Sequence, residues 1–287
     1  MITHEAPAVY FYTTDFLISF NCFNAALTLI YLILFGLITH FVIREFSREG
    51  AQNTLNAIEV ASTLVSFQGF YFSSMLVAFL TIMVSVGSIS SEVESGVIHS
   101  IITRPIKRSS YVLGKYLGLG ILSVSYSIFL FTAIILICAI FQLPTVKTLE
   151  PLNVMKGLLF FTLEPLAILS LSIFGSSAFK TLSNGIFVVS IYILGLIGGV
   201  MEQIGSVLNN QSLVNWGIIS SLISPFDIIY RKMLSSILSN LGVTNPFMVA
   251  TEMTNTAPSI WMLIYTFAYI PGLVILGIRK FRLKDIS

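Results

Sequence analysis

Charge is what this sequence has least of. Only 10% of its 287 residues are Asp, Glu, Lys or Arg, against roughly a quarter in soluble domains, so the chain lacks the polar surface that a soluble fold of this length requires. A net charge of +2, with no run of bases interleaved with aromatics, excludes a broad electrostatic surface for nucleic acid. Cysteine is scarce as well: Cys22 and Cys138 stand outside any CxxC or Cys/His spacing, so neither a metal centre nor a redox pair is expected. Both read as small buried apolar residues. His4, His40 and His99 are scattered over different segments and form no ligand set. There is no GxxxxGK[ST], HExxH or GxSxG, and Gly114-Lys115 lacks the upstream glycine of a phosphate loop. The chain is therefore not expected to hydrolyse ATP itself, to catalyse a reaction, or to hold a cofactor or metal. Its start, MITHEAPAVYFYTTD, has no basic stretch before the apolar run, so a cleaved signal is not expected.

What is present is apolar: 55% hydrophobic residues, including 23 Phe. A helix needs about 20 apolar residues to cross the hydrocarbon core, where every backbone N–H and C=O must be satisfied internally. Six segments meet that test: Phe16 to Ile43, Val60 to Ser91, Tyr116 to Phe141, Gly157 to Phe179, Gly185 to Met201 and Pro258 to Ile278. The expectation is an all-α integral membrane protein, residues 1–287 forming a single domain in the lipid bilayer. Residues 202–257 are broken by several asparagines. They read as a long external loop with one or two short helices on the membrane surface or dipping partway in, a seventh span being the alternative. Six spans put both termini on one side. Arg104, Lys107, Arg108, Lys115, Lys180, Arg279, Lys280, Arg282 and Lys284 then share that side, which the excess of bases identifies as cytoplasmic. A multi-pass protein of the plasma membrane is expected.

The exception to this apolar pattern is Ser90 to Tyr116, SSEVESGVIHSIITRPIKRSSYVLGKY, the largest cytoplasmic loop on this topology. Ser90 or Ser91 can cap a short helix, with Glu92 and Glu94 in its first turn, where carboxylates complement the dipole. Val97, Ile98, Ile101 and Ile102 fall on one face. Arg104-Pro105 ends the helix, because the residue before proline leaves the helical region, and Ser109 or Ser110 can cap the next one. Such a knob can bury its apolar face in the headgroup layer, which Lys107, Arg108 and Lys115 also suit, or in a groove on another protein. The residues by themselves leave both open.

The order Glu92, Glu94, Gly96, Arg104-Pro105, Arg108 and Gly114-Lys115 resembles the first cytoplasmic loop of type-2 ATP-binding-cassette (ABC) permeases, where that loop is the coupling helix. Ile223-Ser224-Pro225-Phe226 is similar to the family's serine-proline turn before the last span. The chain departs in having Val97 where the family commonly has threonine, and in a short N-terminal piece without bases. The resemblance implies the membrane subunit of an ABC exporter that meets a separate ATPase subunit, in two copies, which binds ATP and Mg²⁺. Val97, Ile98, Ile101 and Ile102 would receive the push, while Glu92, Glu94, Arg104, Arg108 and Lys115 would fix register around the Gly96 and Pro105 turns. It also implies a second permease copy, identical or related.

Glu164, inside the fourth span and followed by Pro165, is the intramembrane ionisable group, and such groups usually face a cavity or a partner. The alternative is a helix that begins at Glu164-Pro165, with the carboxylate near the interface. Asn21, Asn24 and Gln68 can line a translocation path or hydrogen-bond between helices. The aromatic run Phe67, Phe70, Tyr71 and Phe72 reads as packed or lipid-facing. The spans suit a lipid or hydrophobic peptide slightly better than an anion. Two other classes compete: a proton-coupled secondary carrier using Glu164, and a noncatalytic anchor of a larger complex. A carrier is expected to show inverted repeats and several intramembrane ionisable groups, neither of which is legible here.

Overall fold

A computed structural model of the chain describes residues 6–46, 54–98, 107–143, 150–237 and 260–283, with most of their side chains from residue 23 onward. The described residues are helical, without strands. In chain order the helices are α1 (Ala6–Phe46), α2 (Thr54–Ser85), α3 (Ser90–Glu94), α4 (Arg108–Ile140), α5 (Pro151–Ala178), α6 (Thr181–Val207), α7 (Gln211–Ile223), α8 (Phe226–Ile237) and α9 (Ile260–Arg282). Six of them are long and apolar enough to cross a membrane, α3 continuing the span of α2 after a turn at residues 86–89.

The helices run past the charge-free windows because charge ends the hydrocarbon layer, not the backbone ladder. Thus α4 starts at Arg108, with Lys107 and not a serine at its N-cap, and α6 extends to Val207. Likewise α5 begins at Pro151, whose missing N–H costs nothing in a first turn. Pro165 therefore lies inside a continuous helix, and the expectation of a helix starting at Glu164-Pro165 is overturned.

Within residues 202–257, α7 and α8 meet at a 102° bend; α7 keeps an exposed face at Trp216, Ile219, Leu222 and Ile223, whereas α8 dips into the bundle and is buried through Phe226, Ile229, Tyr230, Met233 and Ile237. Asn210 caps α7 by accepting from the Ser212 and Leu213 amides. From there α7 runs back along α6, and the two approach so closely that a Cβ on Gly198 would collide with Ser220 and one on Gly217 with the Glu202 backbone. Then α8 turns outward along α5, its Ile237 filling the space over Gly157. The pair forms a sharply bent hairpin, with its Ser224-Pro225 bend buried inside the bundle.

Two buried clusters hold the spans. One joins Phe35, Val65, Phe70, Phe131, Phe161 and Tyr230, and the other joins Ala78, Ile168, Val188, Tyr192 and Phe226. Cys138 is buried in the first, as expected of a small apolar residue; the Cys22 side chain lies outside the described residues. Replacing Gly198 by Leu forces α7 away from α6, and overpacking of this kind costs about 1–3 kcal/mol. The Gly198→Leu chain is expected to melt at lower temperature in mild detergent, whereas Gly36→Ala and Gly272→Ala, where an added Cβ meets nothing within 4 Å, do not lower the melting temperature.

Candidate functional site

One end of the bundle gathers the close of α3, α5 and α9 with the start of α4 and α6. The first amides of α3 are not capped by its own serines. Ser176 of α5 does this, its hydroxyl accepting from Ile89 N at 3.1 Å and Ser90 N at 2.8 Å. Ser90 Oγ instead donates to Val86 O at 3.3 Å and pairs with Thr181 Oγ1 at 2.9 Å. Asn184 stitches the same region, donating to Val86 O at 2.7 Å and to Ser172 O at 3.1 Å. The position of α3 is therefore set by α5 and α6.

Each acid of α3 grips a different span. Glu92 accepts from the Tyr111 hydroxyl and the Lys115 ammonium, both on α4. The ammonium also lies 5.9 Å from the Tyr111 ring centroid, an attractive cation–π geometry. Glu94 sits at the N-terminus of α6, accepting from Thr181 N at 3.1 Å and Thr181 Oγ1 at 2.8 Å, where a helix dipole favours a carboxylate. Arg108 Nη1 donates to Arg282 O at 3.1 Å, satisfying a terminal carbonyl of α9. Gly96, at φ 73°, ends α3 in the left-handed conformation that glycine takes without strain.

Two expectations change here. Glu92, Glu94, Arg108 and Lys115 make contacts within the chain and so are not simply a register for a partner. Val97 and Ile98 also part company. Val97 is 41% exposed, whereas Ile98 is 1% exposed and packed with Ile89, Val112, Leu169, Ile173 and Phe281. They are adjacent in sequence, so a helical start at Val97 turns one outward and the other inward. Ile101, Ile102, Arg104 and Pro105 lie outside the described residues.

Deeper in the bundle is a polar centre. Glu164, midway along α5, is 2% exposed, and both its oxygens lie 2.7 Å from Ser74 Oγ of α2, whose single proton serves one at a time. Among the described residues no base pairs with it. Arg231 of α8 is engaged elsewhere: Nη2 lies 2.8 Å from Glu202 Oε2 of α6, and Nε lies 2.8 Å from Asp227 Oδ2 one turn back. These three groups were missed in the sequence because residues 202–257 read as an external loop. The signal was the i,i+4 acid-base spacing of Asp227 and Arg231 within FDIIYRKM. Asn24 is buried, and its backbone carbonyl accepts from Thr28 Oγ1 at 2.7 Å, while Thr28 Oγ1 shares a 2.7 Å hydrogen bond with Tyr126 of α4. The Asn21 side chain lies outside the described residues, and Gln68 is exposed on the outer wall of α2.

Six helices long and apolar enough to cross a bilayer, packed around buried charge, define a multi-pass membrane protein. The model of the ABC-2 family transporter proteins matches residues 23–286, nearly the whole chain. The chain belongs to that family and is a permease component of an ABC transporter. A comparison with curated proteins gives no match.

Removing the guanidinium of Arg231 strands two buried carboxylates, a loss of about 3–5 kcal/mol for a broken buried pair. Arg231→Met is expected to unfold the detergent-solubilised chain at markedly lower temperature. Combining it with Glu202→Gln and Asp227→Asn, which leaves no charge to strand, is expected to restore most of the loss in the same thermal scan.

Proposed function

We propose that the chain is the translocating subunit of an ATP-driven exporter. It works as two permease copies with two copies of a separate ATPase subunit, on which ATP and Mg²⁺ are bound. The observation that carries this reading is the way α3 is held. A short helix with exposed Val97 beside it is tied by one acid to α4 and by the other to α6. A load on such a handle reaches two membrane helices directly. It then passes along α6 to Glu202, about 30 Å away at the helical rise of 1.5 Å per residue. There Arg231 and the glycine-lined contact with α7 couple α6 to the bent hairpin. Rigid movement of such units is how alternating access is achieved.

Charge supports the orientation. Lys107, Arg108, Lys115, Lys180, Arg279, Lys280 and Arg282 all belong to the α3 end, so that end, and both termini with it, is the cytoplasmic one of a plasma-membrane protein. The resident contact surface is then Val97 with the segment that follows it, while Ile98 is the root that anchors it. Glu164 favours the second reading, a proton-coupled carrier, since it is buried and no base pairs with it among the described residues. In that case transport runs on a pH gradient without ATP and stops in Glu164→Gln.

The test is purification of the tagged full chain from its native membrane, with an ATPase assay on what accompanies it. Val97→Asp is expected to lower retention of the ATPase and its turnover by about tenfold or more at unchanged thermal stability of the chain. Ile98→Asp, which buries a charge, is expected to destabilise the chain itself. Full retention of the ATPase in Val97→Asp contradicts the assignment of the contact surface. Absence of any nucleotide-binding subunit from the wild-type preparation contradicts the exporter reading.

A further inference from the structure

We infer that residues 86–90 are a hinge between α2 and the α3 handle, at which Ser176 and Asn184 are positioning residues: they stand in for helix-ladder bonds that re-form when the handle moves. The inference rests on the reading that a separate ATPase loads α3, and deepens it by naming the contacts that yield.

The span Ala61–Glu94 is one helical path with an interruption. Its ladder runs as far as Val86 N, which donates to Ile82 O at 2.9 Å, and resumes at Ser91 N, which donates to Gly87 O at 3.2 Å. In an unbroken helix each N–H donates four residues back, so Ile89 N and Ser90 N would meet Ser85 O and Val86 O. Both amides go to Ser176 Oγ of α5 instead. Val86 O accepts from Asn184 Nδ2 of α6 at 2.7 Å and from Ser90 Oγ at 3.3 Å, and Ser85 O accepts from Ser88 N at 3.1 Å. Two neighbouring spans thus supply partners that the helix would otherwise find within itself.

The backbone is already close to the unbroken form. Ile89 has φ −116° and ψ −42°, in the right-handed helical region, whereas a residue capping a helix is usually extended. None of residues 86–89 has a positive φ, and a Cβ added to Gly87 would make ordinary contact with Ser91 and Thr181, so nothing in the turn requires glycine. Exchanging one partner for another keeps each amide satisfied, as membrane depth demands, and is close to balanced in free energy. After the exchange Ser176 can bond within its own helix, as Ser177 does to Ile173 O at 2.9 Å. The held form is also incompletely satisfied: Ser88 Oγ, Ser172 Oγ and Asn184 Oδ1 are buried without a partner among the described residues. An element with two such arrangements is what passes movement between packed helices. Because Glu94 ties α3 to α6, a push on the handle carries Asn184 away from Val86 O, and Ser90 N takes its place.

The experiment uses the full chain with its ATPase in native membranes, freed of cysteine by Cys22→Ala and Cys138→Ala. A Cβ on Gly185 of α6 would lie 3.3 Å from Val86 Cγ1, so Val86→Cys with Gly185→Cys is expected to form a disulfide on oxidation that holds α2 to α6. Trapping the ATPase with Mg²⁺, ATP and vanadate is expected to lower the yield by about fivefold or more. The linked complex is expected to lose ATP turnover by about tenfold or more until reductant is added. Ser176→Ala, which removes a stand-in, and Gly87→Ala, which strengthens the ladder, are each expected to lower the yield by about two- to tenfold without nucleotide. A merely structural Ser176 would instead lower the melting temperature at unchanged yield. If nucleotide leaves the yield unchanged, or the linked complex hydrolyses ATP at the unlinked rate, the hinge does not move and the inference fails while the exporter reading stands. Unchanged yield in both Ser176→Ala and Gly87→Ala also overturns it, and that comparison decides equally in a chain that brings no ATPase, the result that removes the exporter reading.

Discussion

A guanidinium held away from water fixes the architecture of this protein. Arg231 is 6% exposed and cannot shed its proton, so the fold has to bring carboxylates to it. One comes from its own helix and the other from the far part of α6. That requirement places α8 against α6, which the intervening α7 permits only by folding back along α6 through its glycine contacts. The chain thus enters the bundle and turns by 102° between α7 and α8. At the other end of the bundle α9 closes against α4, where Phe281 stacks on Tyr111 at 5.7 Å.

In the exporter proposed above, that end works as a machine part because its contacts divide the load. Neutral side chains, Ser176 and Asn184, set where α3 begins. Charged ones, Glu92 and Glu94, tie it to the helices that would have to move. Surface ion pairs contribute little to stability, commonly under about 1 kcal/mol. Their value here is geometric: they remove slack between the handle and two spans. Ile98 supplies the apolar burial, closing a cluster with Phe281 and Ile173.

The six spans were legible in the sequence because burial in hydrocarbon leaves one requirement, sustained apolarity over a sufficient length, and α1, α2, α4, α5, α6 and α9 satisfy it openly. Their ends were less legible, since helices continue into the headgroup layer with charged residues such as Arg108 and Arg282. The acids and bases of residues 90–116 marked where α3 and α4 meet, but not the partners of those side chains. Whether Glu94 met another protein or Thr181 depended on where α6 begins in space. The buried hairpin was hidden for a related reason: the asparagines of residues 202–257 read as marks of solvent, and Asp227 and Arg231, which neutralise one another when buried, were not read as a pair.

The central claim is that the end bearing α3 faces the cytoplasm, and impermeant thiol labelling tests it most directly. In a cysteine-free chain, Asn209→Cys, at the turn between α6 and α7, is predicted to react in intact cells. Ser95→Cys beside α3 and Lys280→Cys near the end of α9 are predicted to react only after the membrane is opened. Labelling of Ser95→Cys or Lys280→Cys from outside, with Asn209→Cys protected, would contradict the account.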